Sequence, residues 1–135
     1  MSRSLPENVL RLCFIARHRS LESQQVQQKY SNPRAEIGEH SLDYVLLIYL
    51  NPEALLFWMP KLFDYLKTRA PRDTFHYDVV MMKLANQQFS EELRAVASDC
   101  EREMICQFLI WMAENIELSP SDLTEHQLAL KHWSL

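Results

Sequence analysis

Glycine is nearly missing from the chain: one residue in 135, at Gly38, where average usage of about 7% would supply roughly nine. Tight hairpins and phosphate-cradling loops depend on glycine for positive φ angles and close backbone approach. That argues against a β-rich fold, a dinucleotide-binding fingerprint and a P-loop. Cysteine is sparse too. Cys13, Cys100 and Cys106 are odd in number and contain no C-x-x-C pair. Cys100 and Cys106 stand six apart, which separates them around a helix. Cys13, in Leu12-Cys13-Phe14-Ile15, reads as a small core residue. The pattern fits a reducing compartment, with no disulfide framework. Long apolar runs are also absent. The longest, such as Tyr44–Leu50, has about seven residues, far short of a membrane span. Glu7 and Arg11 interrupt any secretory core at the N-terminus. A soluble, cytoplasmic protein is expected.

Recognisable catalytic and metal-binding patterns are equally scarce. No two of His18, His40, His76, His126 and His132 stand three or four apart, the spacing that aims two helical ligands at one ion. Glu36, His40 and Asp43 do form a run at that spacing, but Gly38 sits inside it. No metal or other cofactor is expected. There is no G-x-S-x-G elbow, and the cysteines fall in helical patterns. Among the acids, Glu91 and Glu92 favour a helix start and Glu101 reads as a capping residue. Glu103 reads as solvated.

What is present is an ordinary soluble composition, 47% hydrophobic and 24% charged, with helix signals throughout. Ser4-Leu5-Pro6-Glu7 looks like a capped start for a helix to about residue 18. Residues 20–30 are polar and Gln-rich, and 31–40 hold Asn32-Pro33 and Gly38, a loop. A short apolar helix over 42–50 leads to Asn51-Pro52-Glu53, a cap and first turn. The next helix should run to about 70 and kink or break near Pro60. Helices over 74–87 and 90–97 follow, then Ser98-Asp99-Cys100-Glu101 opens the most strongly patterned one. Ser119-Pro120 opens the last. Nothing alternates at period two. The reading is all-α: one domain over 1–135, a bundle of six or seven helices. Its parts are a basic N-terminal region over 1–40, a core over 41–118 and a C-terminal helix over 119–135.

Charge is unevenly spread. Residues 1–34 carry six basic and two acidic side chains, +4; residues 35–135 carry eight basic and sixteen acidic, −8. A basic helix docking on an acidic body accounts for this; so would a nucleic-acid arm, though no basic run interleaved with aromatics supports one. Tyr44, Tyr49, Phe57, Trp58, Phe63 and Tyr65 crowd into 22 residues. Such a cluster builds either a small core or a binding face. Trp58 and Tyr65, seven apart, can share one helix face while Phe63 lies on another.

The residues from about Leu42 to Asn115 also carry a resemblance. Leu50-Asn51-Pro52-Glu53-Ala54 with Phe57 comes first, then Met59-Pro60-Lys61-Leu62-Phe63 with Tyr65-Leu66. A second helix ends near Leu84, and Ser98 to Glu101-Arg102 precedes Phe108-Leu109-Ile110-Trp111-Met112-Ala113-Glu114. This resembles a loosely defined family of small all-helical bacterial proteins, some of which are suspected immunity or accessory partners of toxins. Met112 departs from that pattern conservatively. The resemblance covers a little over half the chain and its motifs are packing and capping motifs. It implies a bacterial origin and a helical fold, and it transfers no site residues.

The functional expectation is a non-catalytic protein-binding module of the immunity or antitoxin type, capping a partner such as a basic toxin. The candidate contact residues are Trp58, Tyr65, Asp73, His76, Asp78, Asp99 and Glu103. Charge complementarity would speed capture of a basic partner. One alternative is a small enzyme or ligand-binding protein with an aromatic-lined pocket between helices, using His76 or Glu103. Another is a nucleic-acid regulator working through Arg11, Arg17 and Arg19. Neither a membrane partner nor a particular oligomeric state is indicated.

Overall fold

The computed structural model describes residues 3–11, 21–38, 42–43, 46–69 and 75–134. Among them the protein is all-α, as the sequence implies, with seven helices and no strand beyond one isolated antiparallel bridge between Leu10 and Leu50. The helices are α1 (Leu21–Tyr30), α2 (Leu46–Tyr49), α3 (Pro52–Arg69), α4 (Phe75–Ala85), α5 (Gln87–Val96), α6 (Asp99–Asn115) and α7 (Pro120–Trp133). No helix is long and apolar enough to cross a membrane. The chain divides into two compact units, Met1–Tyr65 and Leu66–Leu135.

In the first unit the expected N-terminal helix does not begin where Ser4-Leu5-Pro6-Glu7 suggests. Residues 8–11 are extended or irregular instead, and 12–18 lie outside the described residues. Tertiary partners override the local capping pattern. The Val9 amide donates to Gln27 Oε1 on α1 at 3.1 Å, and Arg11 N donates to the Tyr49 carbonyl at 2.6 Å. A helical turn would compete for both donors. Val9 is fully buried.

The start of α3 follows the sequence closely. Asn51 Oδ1 accepts the Ala54 amide at 2.8 Å, and Pro52 fills the first helical position, where a missing N–H costs nothing. Pro60 does not break the helix: α3 is a single element of 18 residues with Pro60 exposed on its surface. An internal proline costs about 3 kcal/mol. Here Leu55, Leu56, Trp58, Met59 and Leu62 are all buried to 2% exposure or less. At about 1.5–3 kcal/mol for each large side chain, that burial outweighs the proline.

In the second unit, Asn86 rather than the stretch around Ser90 marks the helix boundary. Its side chain accepts the Phe89 amide at 2.9 Å and caps α5, which is amphipathic and buries Phe89, Ser90 and Leu93. At the head of α6 the capping box is complete. Glu101 N donates to Ser98 Oγ at 3.2 Å and Ser98 N donates to Glu101 Oε1 at 2.9 Å. The α7 helix packs on α4, α5 and α6 and is pinned by ring nitrogens. His126 Nε2 donates to the Leu109 carbonyl at 2.6 Å, His132 Nε2 to the Ala85 carbonyl at 3.1 Å, and Trp133 Nε1 to Ser90 Oγ at 3.1 Å. Ser90 Oγ in turn donates to the Leu84 carbonyl at 2.7 Å. His132 and Ser90 thereby occupy carbonyls that the end of α4 leaves without intrahelical donors.

Candidate functional site: an acidic helical surface

Glutamate and aspartate dominate the exposed charge of the second unit. Residues 66–135 hold eleven acidic and seven basic side chains, −4, whereas residues 1–65 hold seven of each. Among the described side chains of the second unit, Asp78, Glu91, Asp99, Glu103, Glu114 and Glu117 are exposed, against two exposed lysines, Lys67 and Lys131. The other described cations, Lys83, Arg94 and Arg102, are partly withdrawn. The Arg94 guanidinium carbon lies 5.4 Å from the Trp133 ring centroid, and Arg102 Nη2 donates to the Arg94 carbonyl at 2.9 Å. Even exposed Lys67 holds its ammonium 5.7 Å from the centre of the Trp111 ring. Among the described side chains, the charge that faces solvent in this unit is therefore mainly acidic.

Local physics accounts for several of these positions. Asp99 stands in the first turn of α6, where a negative charge complements the helix dipole. Glu103 Oε1 accepts from Gln107 Nε2 at 2.9 Å, one turn on. Asp78 is different. Its carboxyl is held above the ordinary aspartate value, first by lost hydration and then by the neighbouring Asp122 carboxylate. The Asp122 carboxylate on α7 thus adds to the cost of ionising Asp78 on α4.

The other candidates are placed as follows. Trp58 is withdrawn from any partner: it is fully buried, donates Nε1 to the Tyr30 carbonyl at 3.3 Å, and meets the Tyr30 ring edge-on at 5.5 Å. Burying its large ring drives α3 onto α1, which is why the aromatic cluster serves the core of the first unit. Phe63 is buried as well and Tyr65 half-buried, so α3 presents no aromatic face of the kind expected. Asp73 lies outside the described residues, as do Tyr44, Arg17 and Arg19. His76 belongs to α4, but its side chain is outside the described part. Asp78, Asp99 and Glu103 are exposed.

A second polar centre, in the first unit, was not legible as such. Asp43 is 2% exposed and accepts three donors. Lys29 Nζ lies 2.7 Å from its Oδ1, the Tyr30 hydroxyl donates to the same oxygen, and Gly38 N donates to Oδ2 at 2.8 Å. The Tyr30 phenol is pushed above its usual value, chiefly by burial and then by its bond to Asp43 and that group's charge. With both oxygens engaged, Asp43 acts as a structural tie between α1 and the loop after it. The spacing Glu36, His40, Asp43 suggested a metal-ligand run, but Asp43 is turned to this cluster, and His40 lies outside the described residues. Among the described residues no three His, Cys, Asp or Glu side chains gather as metal ligands do. Cys100 is exposed, and Cys106 lies with Sγ 4.0 Å from Ser134 Oγ.

No protein-family model matches the chain, and no curated protein and no solved structure matches it either.

Proposed function

We propose that the protein is a non-catalytic binding module that captures a basic partner protein on the acidic surface of residues 66–135, in the manner of a cytoplasmic bacterial immunity or antitoxin protein. The observation that carries this reading is the imbalance of exposed charge among the described side chains of this unit: six carboxylates face solvent against two lysines, while Arg94 lies on a ring and Arg102 on a carbonyl. A surface of one sign raises the encounter rate with a partner of the other and makes that rate depend on salt. The Asp78–Asp122 pair adds a place where a lysine or arginine of the partner would remove a repulsion.

The test is kinetic. Neutralising Asp78, Asp99, Glu103 and Glu114 together should slow association with the natural partner by ten-fold or more at low salt and flatten its salt dependence, leaving dissociation less affected. An association rate that ignores the four substitutions would refute the assignment of this surface.

A further inference from the structure

Within the second unit α4 and α7 meet along a seam that is anchored at both ends. At one end the Asp122 carboxylate of α7 acts on Asp78 of α4; at the other, His132 Nε2 of α7 donates to the Ala85 carbonyl of α4 at 3.1 Å. Residue number rises along both helices between these anchors, so α4 and α7 run in the same direction. Met82 lies one turn beyond Asp78 on α4, and Leu128 one turn before His132 on α7. At that spacing each shares a helix face with its anchor. Both therefore stand beside the seam, between its ends, and both are open to solvent: Met82 is 48% exposed and Leu128 45%. Apolar side chains scattered singly over a surface need no explanation, but two beside one seam make an apolar strip. Half-buried Glu125, three residues before Leu128, adds a third carboxylate towards the Asp78 and Asp122 end. Among the described residues no lysine or arginine pairs with Asp78, Asp122 or Glu125.

An apolar strip that ends in unpaired carboxylates is complementary to an amphipathic helix with basic flanks. Such a helix lays its apolar face into a groove between helices, and its cations meet the acids there. A second copy of this unit, itself −4, would be repelled. We propose that the α4–α7 seam is the docking groove for an amphipathic basic helix of the partner protein, with apolar side chains on Met82 and Leu128 and a lysine or arginine at Asp78, Asp122 and Glu125. Methionine suits the seat because its unbranched side chain adapts to the shape laid on it. This assignment rests on the acidic-surface reading and narrows it. The acids of α6, Asp99, Glu103 and Glu114, steer the approach, and the seam holds what arrives.

The experiment uses the full chain at low salt and two fluorescent peptides, followed by anisotropy. One is a helical peptide of leucine and lysine with all leucines on one face, 14 residues long to match α7. The other is its scrambled isomer, equal in charge but without an apolar face. Saturable binding of the first is expected, about ten-fold tighter than that of the isomer and weakened about ten-fold by Met82→Gln with Leu128→Gln, the cost of losing the central contacts of a small interface. Both side chains are exposed, so the double variant should keep wild-type helicity; if it does not, Leu128→Gln alone carries the comparison. Asp78→Asn with Asp122→Asn should weaken binding as well. Asp99→Asn, Glu103→Gln and Glu114→Gln together should slow association and leave dissociation unchanged. Equal affinity for the two peptides, or binding indifferent to Met82→Gln with Leu128→Gln, would overturn the groove and leave the acidic surface standing. No binding of either peptide would overturn both readings. A wild-type dimer that Met82→Gln with Leu128→Gln abolishes would overturn the assignment by making a second copy the occupant.

Discussion

The first unit ties its distant segments together with amide side chains and one buried carboxylate, whereas the second clips helix to helix with ring nitrogens and a hydroxyl. Gln27 and Asn51 hold the extended residues 7–11, and Asp43 joins α1 to the loop ending at Gly38. His126, His132 and Trp133 all lie on α7 and reach a carbonyl or a hydroxyl of another helix. Charge divides the same way: residues 1–65 are balanced and residues 66–135 carry the whole −4. The difference teaches that irregular backbone needs polar side chains to replace the hydrogen bonds a helix makes for itself. Regular helices need only their ends completed, which leaves their outer faces free to carry charge.

Substitutions can break or sharpen this contrast. The largest effect is expected at Asp43. Asp43→Ala leaves the Tyr30 hydroxyl and the Lys29 ammonium without their shared acceptor, and removing one partner of a buried pair costs about 3–5 kcal/mol. Because Lys29 can turn to solvent, the lower end of that range is expected, read from urea unfolding. A loss under 1 kcal/mol would show that the tie carries little of the first unit. Next comes His126→Ala, which empties a buried site and removes a donor to the Leu109 carbonyl. It should cost about 2–3 kcal/mol, with protection lost in α7 before α6 in hydrogen exchange; uniform loss across both would contradict the view of His126 as a clip. Ser98→Ala takes away one half of the capping box and should cost about 1 kcal/mol; an unchanged midpoint would mean that Glu101 alone suffices.

The smallest effect reverses sign. The Asp78 carboxyl is held above its ordinary value by lost hydration and by Asp122, so the folded state takes up its proton more readily than the unfolded state. That favours folding only in acid, and the gain disappears as pH rises through the raised value. Near pH 7 the ionised pair is a cost, and Asp78→Asn should stabilise by roughly 0.2–0.5 kcal/mol, small because solvent screens so exposed a pair, with the benefit shrinking as pH falls through the raised value. A destabilised variant at neutral pH would show that Asp78 makes a favourable contact instead.

Much of the second unit was legible because its helices announce themselves locally. Ser98-Asp99-Cys100-Glu101 and Ser119-Pro120 become caps as their residue types require. Asn51-Pro52 does the same at α3. Residues 7–11 depart from their local pattern for the opposite reason. Ser4-Leu5-Pro6-Glu7 has a helix-start pattern, but its fate depends on Gln27 and Asn51, which stand 18 or more residues away from Val9. Composition gives no sign that two amides will act as strands. Asn86 carries a local signal of its own, since an asparagine before a helical pattern is a strong cap candidate. The acids of the surface were countable in the sequence. What no count reveals is that Arg94 lies against Trp133 and Arg102 donates to a carbonyl rather than standing out among those acids.

The most direct test of the acidic-surface reading is a comparative capture from the protein's own source. Tagged wild-type chain and a chain carrying Asp78→Asn, Asp99→Asn, Glu103→Gln and Glu114→Gln would be compared at low salt by quantitative mass spectrometry. The expected result is one stoichiometric basic protein on the wild type, absent from the variant and released from the wild type by raising salt above about 0.5 M, where screening reaches a few ångströms. The same protein retained equally by both chains would contradict the claim that this surface does the binding.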